Sequence, residues 1–261
     1  MKSLEDKKLI VFDLDGTLAL SKAPMDAEMI KLFEDLLRVK RVAVIGGGKY
    51  EIFKLQLIDP LKKCPKELLA ELYLFPTTST AFYRYDKGWK NVYTLTLSKR
   101  DRAKIKQAFK DVFKEAGYVH PKKVYGKVIE DRGTQVTFSA LGQEIVAVLG
   151  RKGVRLKDKW RKKNTKIKMK MAKLLAKRLP GLEVHAAGFT SIDVTKKGID
   201  KAYGLRQIEK YLHVPINKML FIGDALFPGG NDYAVKKTGV DCIAVGGPED
   251  TKRIIRKLIH S

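Results

Sequence analysis

The sequence predicts an α/β fold, a parallel-sheet core interrupted by an inserted α+β domain, on three observations. Short apolar runs alternate with helical stretches at the start of the chain. The section between about residues 82 and 188 reads as antiparallel strands with two long helices, and the alternating rhythm returns after it. With 261 residues and 44% hydrophobic content, the chain can bury a core for each part.

The elements follow in order. KLIVFDLD reads as a buried strand, Asp26 to Arg38 as a helix, RVAVIGGG as a second strand ending in glycines, and Tyr50 to Ile58 as another helix. AFYRY and NVYTLTL flank the turn Asp86-Lys87-Gly88 as a hairpin, and KRDRAKIKQAFKDVFKEAG reads as a helix closed by Gly117. VYGKVIED, TQVTFSAL and EIVAVLG follow as strands, then a basic helix, then the strands LEVHAAG and TSIDVT. After Gly198 come a helix over Lys201 to Leu212, the strand MLFIGD, a helix after Asn231, the strand CIAVGG and a last helix after Pro248. The predicted division is core 1–81, inserted domain 82–188 and core 189–261.

Composition narrows the class. Cys64 and Cys242 lack metal-ligand or redox spacing and read as reduced thiols of a cytoplasmic protein. The first residues carry acids and pass directly into a strand, and no apolar run reaches membrane-spanning length, so a soluble chain without a leader is expected. A formal net charge of +24 attracts polyanions, from phosphorylated metabolites to nucleic acid. Arg151 to Arg178 holds fourteen Lys or Arg against the single acid Asp158. Trp160, Ile167, Met171, Leu174 and Leu175 lie near helical spacing within it, so the bland reading is a solvated basic helix face.

VFDLDGTL carries the strongest chemical signal. An apolar strand delivers Asp13 and Asp15 at its C-terminal end, where open α/β sheets bind ligands, and Gly16 permits the chain to turn there. Two carboxylates this close require a cation or a shared proton, which suits nucleophile plus acid/base chemistry. FIGDALFPGGNDYA repeats the pattern: a strand ends in Asp224, and a glycine loop leads to Asn231 and Asp232. Hard oxygen donors brought to one sheet edge suit Mg²⁺. Asn231 reads equally well as a helix N-cap.

These two stretches resemble the haloacid dehalogenase superfamily of aspartate-dependent phosphotransferases. EDRGTQVTFSALGQ, TSIDVTKKGIDKAYGLRQIEK and GGPEDTKRI narrow the resemblance to the branch of eukaryotic-type phosphomannomutases and sugar phosphatases. The resemblance implies a Rossmann-like core with the inserted domain as a cap that excludes water and supplies sugar specificity. It makes Asp13 the nucleophile that becomes an aspartyl-phosphate, and Asp15 the residue that protonates the leaving oxygen and deprotonates the attacking one. Thr17 would donate its hydroxyl to the phosphate, and Lys201 would neutralise the phosphoryl group. Asp224, with the Asp13 carboxylate and the Asp15 carbonyl, would hold Mg²⁺, and Asp232 would support that shell.

Three departures from the mutases stand out. Gln143 occupies the place of an arginine that grips a distal phosphate, and Tyr125 that of another, while Arg132 is retained. Gly48 stands where a Ser or Thr hydroxyl is usual, and the backbone N–H groups of Gly47 and Gly48 are the expected substitutes. Ser191 and Asp193 match the pair that hydrogen-bonds sugar hydroxyls. The expectation is a phosphatase of small phosphorylated metabolites such as sugar phosphates, with a phosphomannomutase as the alternative and a nucleic-acid-binding protein on this scaffold as the weaker one. The resemblance also implies a homodimer formed through the cap.

Overall fold

The computed structural model describes residues 4–260. Leu9 to Phe12 are each 0% exposed, as expected of a strand covered on both faces. This strand, β1 (Leu9–Asp13), lies inside a seven-stranded sheet with β2 (Arg41–Ile45), β3 (Leu72–Phe75), β4 (Ala81–Tyr85), β5 (Trp89–Thr94), β10 (Met219–Gly223) and β11 (Asp241–Ala244). The order is β11-β10-β1-β2-β3-β4-β5, parallel from β11 to β3 and antiparallel beyond. Its α/β architecture is the predicted class. Phe12 pairs in register with Ile222 and Asp13 with Ile45, so β1, β2 and β10 end together on one edge.

The sheet has an apolar cluster on each face. Ile10, Phe12, Val42, Val44, Leu220 and Ile222 pack on one side with Phe33 and Leu36 of the Ala27–Val39 helix and Ile255 of the Pro248–Ile259 helix. Leu9, Val11, Ala43, Ile45 and Phe221 pack on the other with Leu205 and Ile208 of the Lys201–Leu212 helix. Period-two alternation along each strand sends successive side chains to opposite clusters.

The second unit has its own four-stranded antiparallel sheet, β6 (Ile129–Asp131), β7 (Val136–Ser139), β9 (Ser191–Lys196) and β8 (Leu182–Ala187), in that order. Val136, Phe138, Ile192 and Val194 bury one face against Phe109 and Val112 of the Lys99–Ala116 helix and Met171 and Leu175 of the Arg151–Arg178 helix. Ser98 caps the first of these helices by accepting from Asp101 N–H, and Gly117 closes it at φ 68°.

Several expectations need correction. The hairpin at 81–94 belongs to the core sheet: Leu74 pairs with Tyr83, and Phe75 stacks on Phe82 at 4.5 Å. β9 pairs with both β7 and β8, so residues 189–199 belong to the second unit. The units are therefore Met1–Thr94, Asp200–Pro228 and Asp232–Ser261, and Leu95–Ile199 with Gly229–Asn231, with joins after 94 and 199 in place of 81 and 188. EIVAVLG forms a short helix, Ile145–Leu149, since a brief apolar run has no period that distinguishes strand from helix. It packs so closely on the next helix that a Cβ at Gly153 would lie 2.4 Å from the Ile145 carbonyl oxygen. The segment 50–58 continues from Tyr50–Phe53 into a π-helical stretch, Lys54–Ile58, and the helix expected after Asn231 is a 3₁₀ turn, Tyr233–Thr238.

Candidate active site

At the shared edge of β1 and β10, Asp13, Asp224 and Asp232 bring one carboxylate oxygen each within 4.8 Å of one another. Asp13 ends β1 and Asp224 follows β10, while Asp232 is carried back by the loop after it and accepts a hydrogen bond from Ala225 N–H at 3.0 Å. Lys201 enters from the Lys201–Leu212 helix, whose start is set by Asp200 accepting from Tyr203 N–H at 2.7 Å. Its ammonium, 2% exposed, donates to both Asp13 and Asp232. Thr17 Oγ1 donates to Asp13 Oδ2 at 3.4 Å.

Three clustered carboxylates, two of them bonded to one ammonium, leave an excess of negative charge in a buried place. Burial raises the Asp13 carboxyl well above its ordinary value, and Asp232 and Asp224 push the same way against Lys201. Asp224 is raised to about 6, first by burial and then by Asp232. Lys201 is held above its ordinary value because its two carboxylates outweigh the cost of burying it. An all-oxygen donor set that is short of positive charge fits a hard divalent cation such as Mg²⁺.

Asp15 is turned by the chain reversal at Gly16, which has φ +87° and where a Cβ would meet Asp224 Oδ2 at 2.6 Å. Asp15 Oδ1 accepts from Lys22 N–H at 3.0 Å and from Gln56 Nε2 at 3.2 Å. Gln56 is fully buried and also donates to the Leu20 carbonyl. Sequence reasoning missed it, because a glutamine in a helical stretch reads as surface; only the π-helical turn aims it inward. Gly47 and Gly48 lie in the loop after β2, where the Gly48 carbonyl accepts from Thr77 N–H at 2.7 Å. Thr77, Thr78 and Ser79 beside that loop all have positive φ, of 50°, 57° and 68°, strain of the kind stored at functional sites. No sequence signal marked them. Asn231 groups with the second unit, apart from its neighbour Asp232.

The remaining candidates lie in the second unit, Ser191 and Asp193 on the sheet face opposite its apolar core and Arg132 and Gln143 in the segments that follow β6 and β7. Thr137 pairs with Asp193 and Ser139 with Ser191, so the two strands carry these polar residues on one face. Arg132 donates from Nε to Glu130 at 2.8 Å and from Nη2 to Gln143 Oε1 at 3.1 Å. Asp193 is 5% exposed, and its Oδ1 is buried with no hydrogen-bond partner. Burial raises its carboxyl, with Arg132, Thr137, His185 and Lys168 working against that rise. The Lys168 ammonium reaches the Gly188 carbonyl at 2.7 Å, in the turn that leads into β9. No helix among the described residues is long and apolar enough to cross a membrane.

Known proteins resemble this chain in sequence and in fold. The model of the family "eukaryotic phosphomannomutase" matches residues 29–261. A phosphomannomutase of Encephalitozoon cuniculi is 29% identical over 252 residues, 95% of this chain and 92% of that protein. One from Spinacia oleracea is 27% identical, over 94% of this chain and 93% of its own length. Among solved structures, the IMP-bound, N-terminally truncated IMP-nucleotidase of Plasmodium falciparum aligns with a TM-score of 0.71 at 16% identity, covering 98% of this chain and 68% of that one. A haloacid dehalogenase-like hydrolase from Bacteroides thetaiotaomicron aligns with a TM-score of 0.60 at 13% identity, covering 97% and 99%. These two show the fold alone, and the family match shows the kinship: the chain belongs to the eukaryotic phosphomannomutase family and is a phosphoryl-transfer enzyme, a phosphohydrolase or phosphomutase.

Proposed function

We propose that this protein transfers phosphoryl groups through an aspartyl-phosphate on Asp13, and that its reaction is that named for its relatives, interconversion of mannose 1-phosphate and mannose 6-phosphate. The observation that carries the shared chemistry is the cluster of Asp13, Asp224 and Asp232 around the Lys201 ammonium. The isomerase reading is supported by the family match over residues 29–261.

Asp13 attacks phosphorus through a carboxylate oxygen; the new O–P bond forms as the bond to the sugar oxygen breaks, and Asp15 delivers a proton to that oxygen. In the second half-reaction Asp15 takes the proton of an incoming hydroxyl, which attacks the same phosphorus and frees Asp13. Lys201, already bonded to Asp13, offsets charge on the transferring group, and Thr17 orients Asp13 and the phosphoryl oxygens. Asp13, Asp224 and the Asp15 carbonyl, supported by Asp232, would hold Mg²⁺, whose charge favours the ionised nucleophile and stabilises the transferring phosphoryl oxygens. The second unit offers Ser191, Asp193 and Arg132 as its own candidates for holding sugar hydroxyls.

A second reading, a phosphatase in which water is the incoming hydroxyl, is favoured by one observation. Gln143 supplies a neutral amide, and it is bonded to Arg132, where the mutases place a phosphate-gripping arginine. One assay separates the two. Mannose 1-phosphate is supplied with a hexose bisphosphate activator and Mg²⁺, and mannose 6-phosphate and free phosphate are followed together. Isomer formation faster than phosphate release is expected; phosphate release without isomer would replace the mutase reading with the phosphatase one.

A further inference from the structure

The positive charge of this chain is concentrated in one layer. The Lys99–Ala116 and Arg151–Arg178 helices together contain twenty-one Lys or Arg against four acids, an excess of seventeen out of the formal net charge of +24. Both helices spend their apolar faces on the second unit's sheet, through Phe109, Val112, Met171 and Leu175. Their outer faces are what remains for solvent or a partner.

On the longer helix, Arg155, Lys159, Lys163, Lys166, Lys170 and Lys173 recur in steps of three or four residues, and all six are exposed. Such steps place them on one side of the helix, about 5–6 Å apart. At 1.5 Å per residue the row spans about 27 Å. The single acid of this helix, Asp158, is occupied by Arg161 and Lys162, and none of the row's five lysines and one arginine is paired with a carboxylate among the described residues. Ser191 and Asp193 lie on the opposite face of the sheet, so this surface is separate from the candidate sugar contacts.

We propose that this helical layer is a docking surface for double-stranded nucleic acid, held through its phosphates and without sequence preference. A straight row of unpaired cations matches a straight polyanion, and a duplex carries one charge per about 1.7 Å of its axis, enough to meet every member of the row. The exposed face holds no aromatic ring for stacking unpaired bases, because Trp160 is 8% exposed and packed inward; this favours a duplex over a single strand. Nor does it present the apolar anchors with which an interfacial helix enters a lipid surface, since its apolar stripe is committed to the core.

The test uses the full chain and a fluorescently labelled random-sequence duplex of about 20 base pairs, followed by anisotropy across a salt series. Micromolar binding is expected at about 50 mM salt, with log K falling against log salt at a slope of about −5 for six phosphate contacts. The triple variant Lys159→Glu, Lys166→Glu, Lys173→Glu is expected to weaken binding at least about tenfold and to roughly halve the slope. Its circular dichroism spectrum and melting midpoint establish that it folds. A control variant with the same charge change, Lys8→Glu, Lys31→Glu, Lys66→Glu, places it on exposed lysines of the other unit and is expected to bind nearly as the parent does. Absence of duplex binding, an equal loss in both variants, or tighter binding to anionic lipid vesicles than to the duplex would each overturn the proposal.

Discussion

Replacing Lys201 with methionine keeps the apolar stem and removes the ammonium bonded to Asp13 and Asp232. The parent side chain is 2% exposed, and its partners Asp13 and Asp232 are 3% and 0% exposed, so water cannot take over the lost contacts. Breaking a buried pair by removing one partner costs about 3–5 kcal/mol, chiefly from the charge left behind. In a protein of this size that is a fall in Tm on the order of 10 °C. The cost is electrostatic, so it shrinks when the carboxylates can take up protons. Asp224, already raised to about 6 by burial and Asp232, is placed to do so within the accessible pH range. Calorimetric melting of parent and Lys201→Met in chelator, at pH 8 and pH 5, should therefore show a large deficit that narrows on acidification. A deficit within about 2 °C at pH 8 would refute the reasoning, since it would mean the buried ammonium is not what balances the cluster.

Three further outcomes are expected. Asp13→Asn should abolish turnover, by at least about a thousandfold, while leaving the melting profile cooperative, because Lys201 keeps Asp232 as a partner. Mg²⁺ should stabilise the parent by mass action, by about 2.7 kcal/mol at a hundred times its Kd, and Asp224→Asn should remove most of that gain; the melting temperature with and without chelator, read by calorimetry, measures both. Lys168 provides a pH test away from this site. Burial, followed by the nearby Arg161, lowers it from 10.5 to about 8, so the folded state binds this proton less tightly than the unfolded chain does. Its contribution to stability is present above about 10.5 and lost as pH falls through about 8. Urea unfolding should show the parent gaining on Lys168→Met by on the order of 3 kcal/mol between pH 7.5 and pH 10.

The parallel rhythm, the two acidic strand ends and the family likeness could be read along the chain because each is a local pattern. KLIVFDLD and MLFIGD are uniformly apolar because their strands are covered on both faces, and their terminal acids declare which edge is used. Lys201 was legible only through resemblance, since nothing in its neighbourhood distinguishes it from the other lysines. The joins were misjudged because a hairpin and a strand carry no mark of the sheet they will join; hydrogen bonds of β4 to β3, and of β9 to β7, decide that.

Sequence by itself determined the fold class, the nucleophile candidate and the amount of positive charge, all of which follow from residue type and near-neighbour spacing. Tertiary structure alone decided that Gln56 reaches Asp15, that Gln143 is engaged by Arg132, and that most of the excess charge lies on a single helical layer. Those relations join residues far apart in the chain or depend on which way a side chain is turned, and the physical forces that set them act across space, where chain order carries no information.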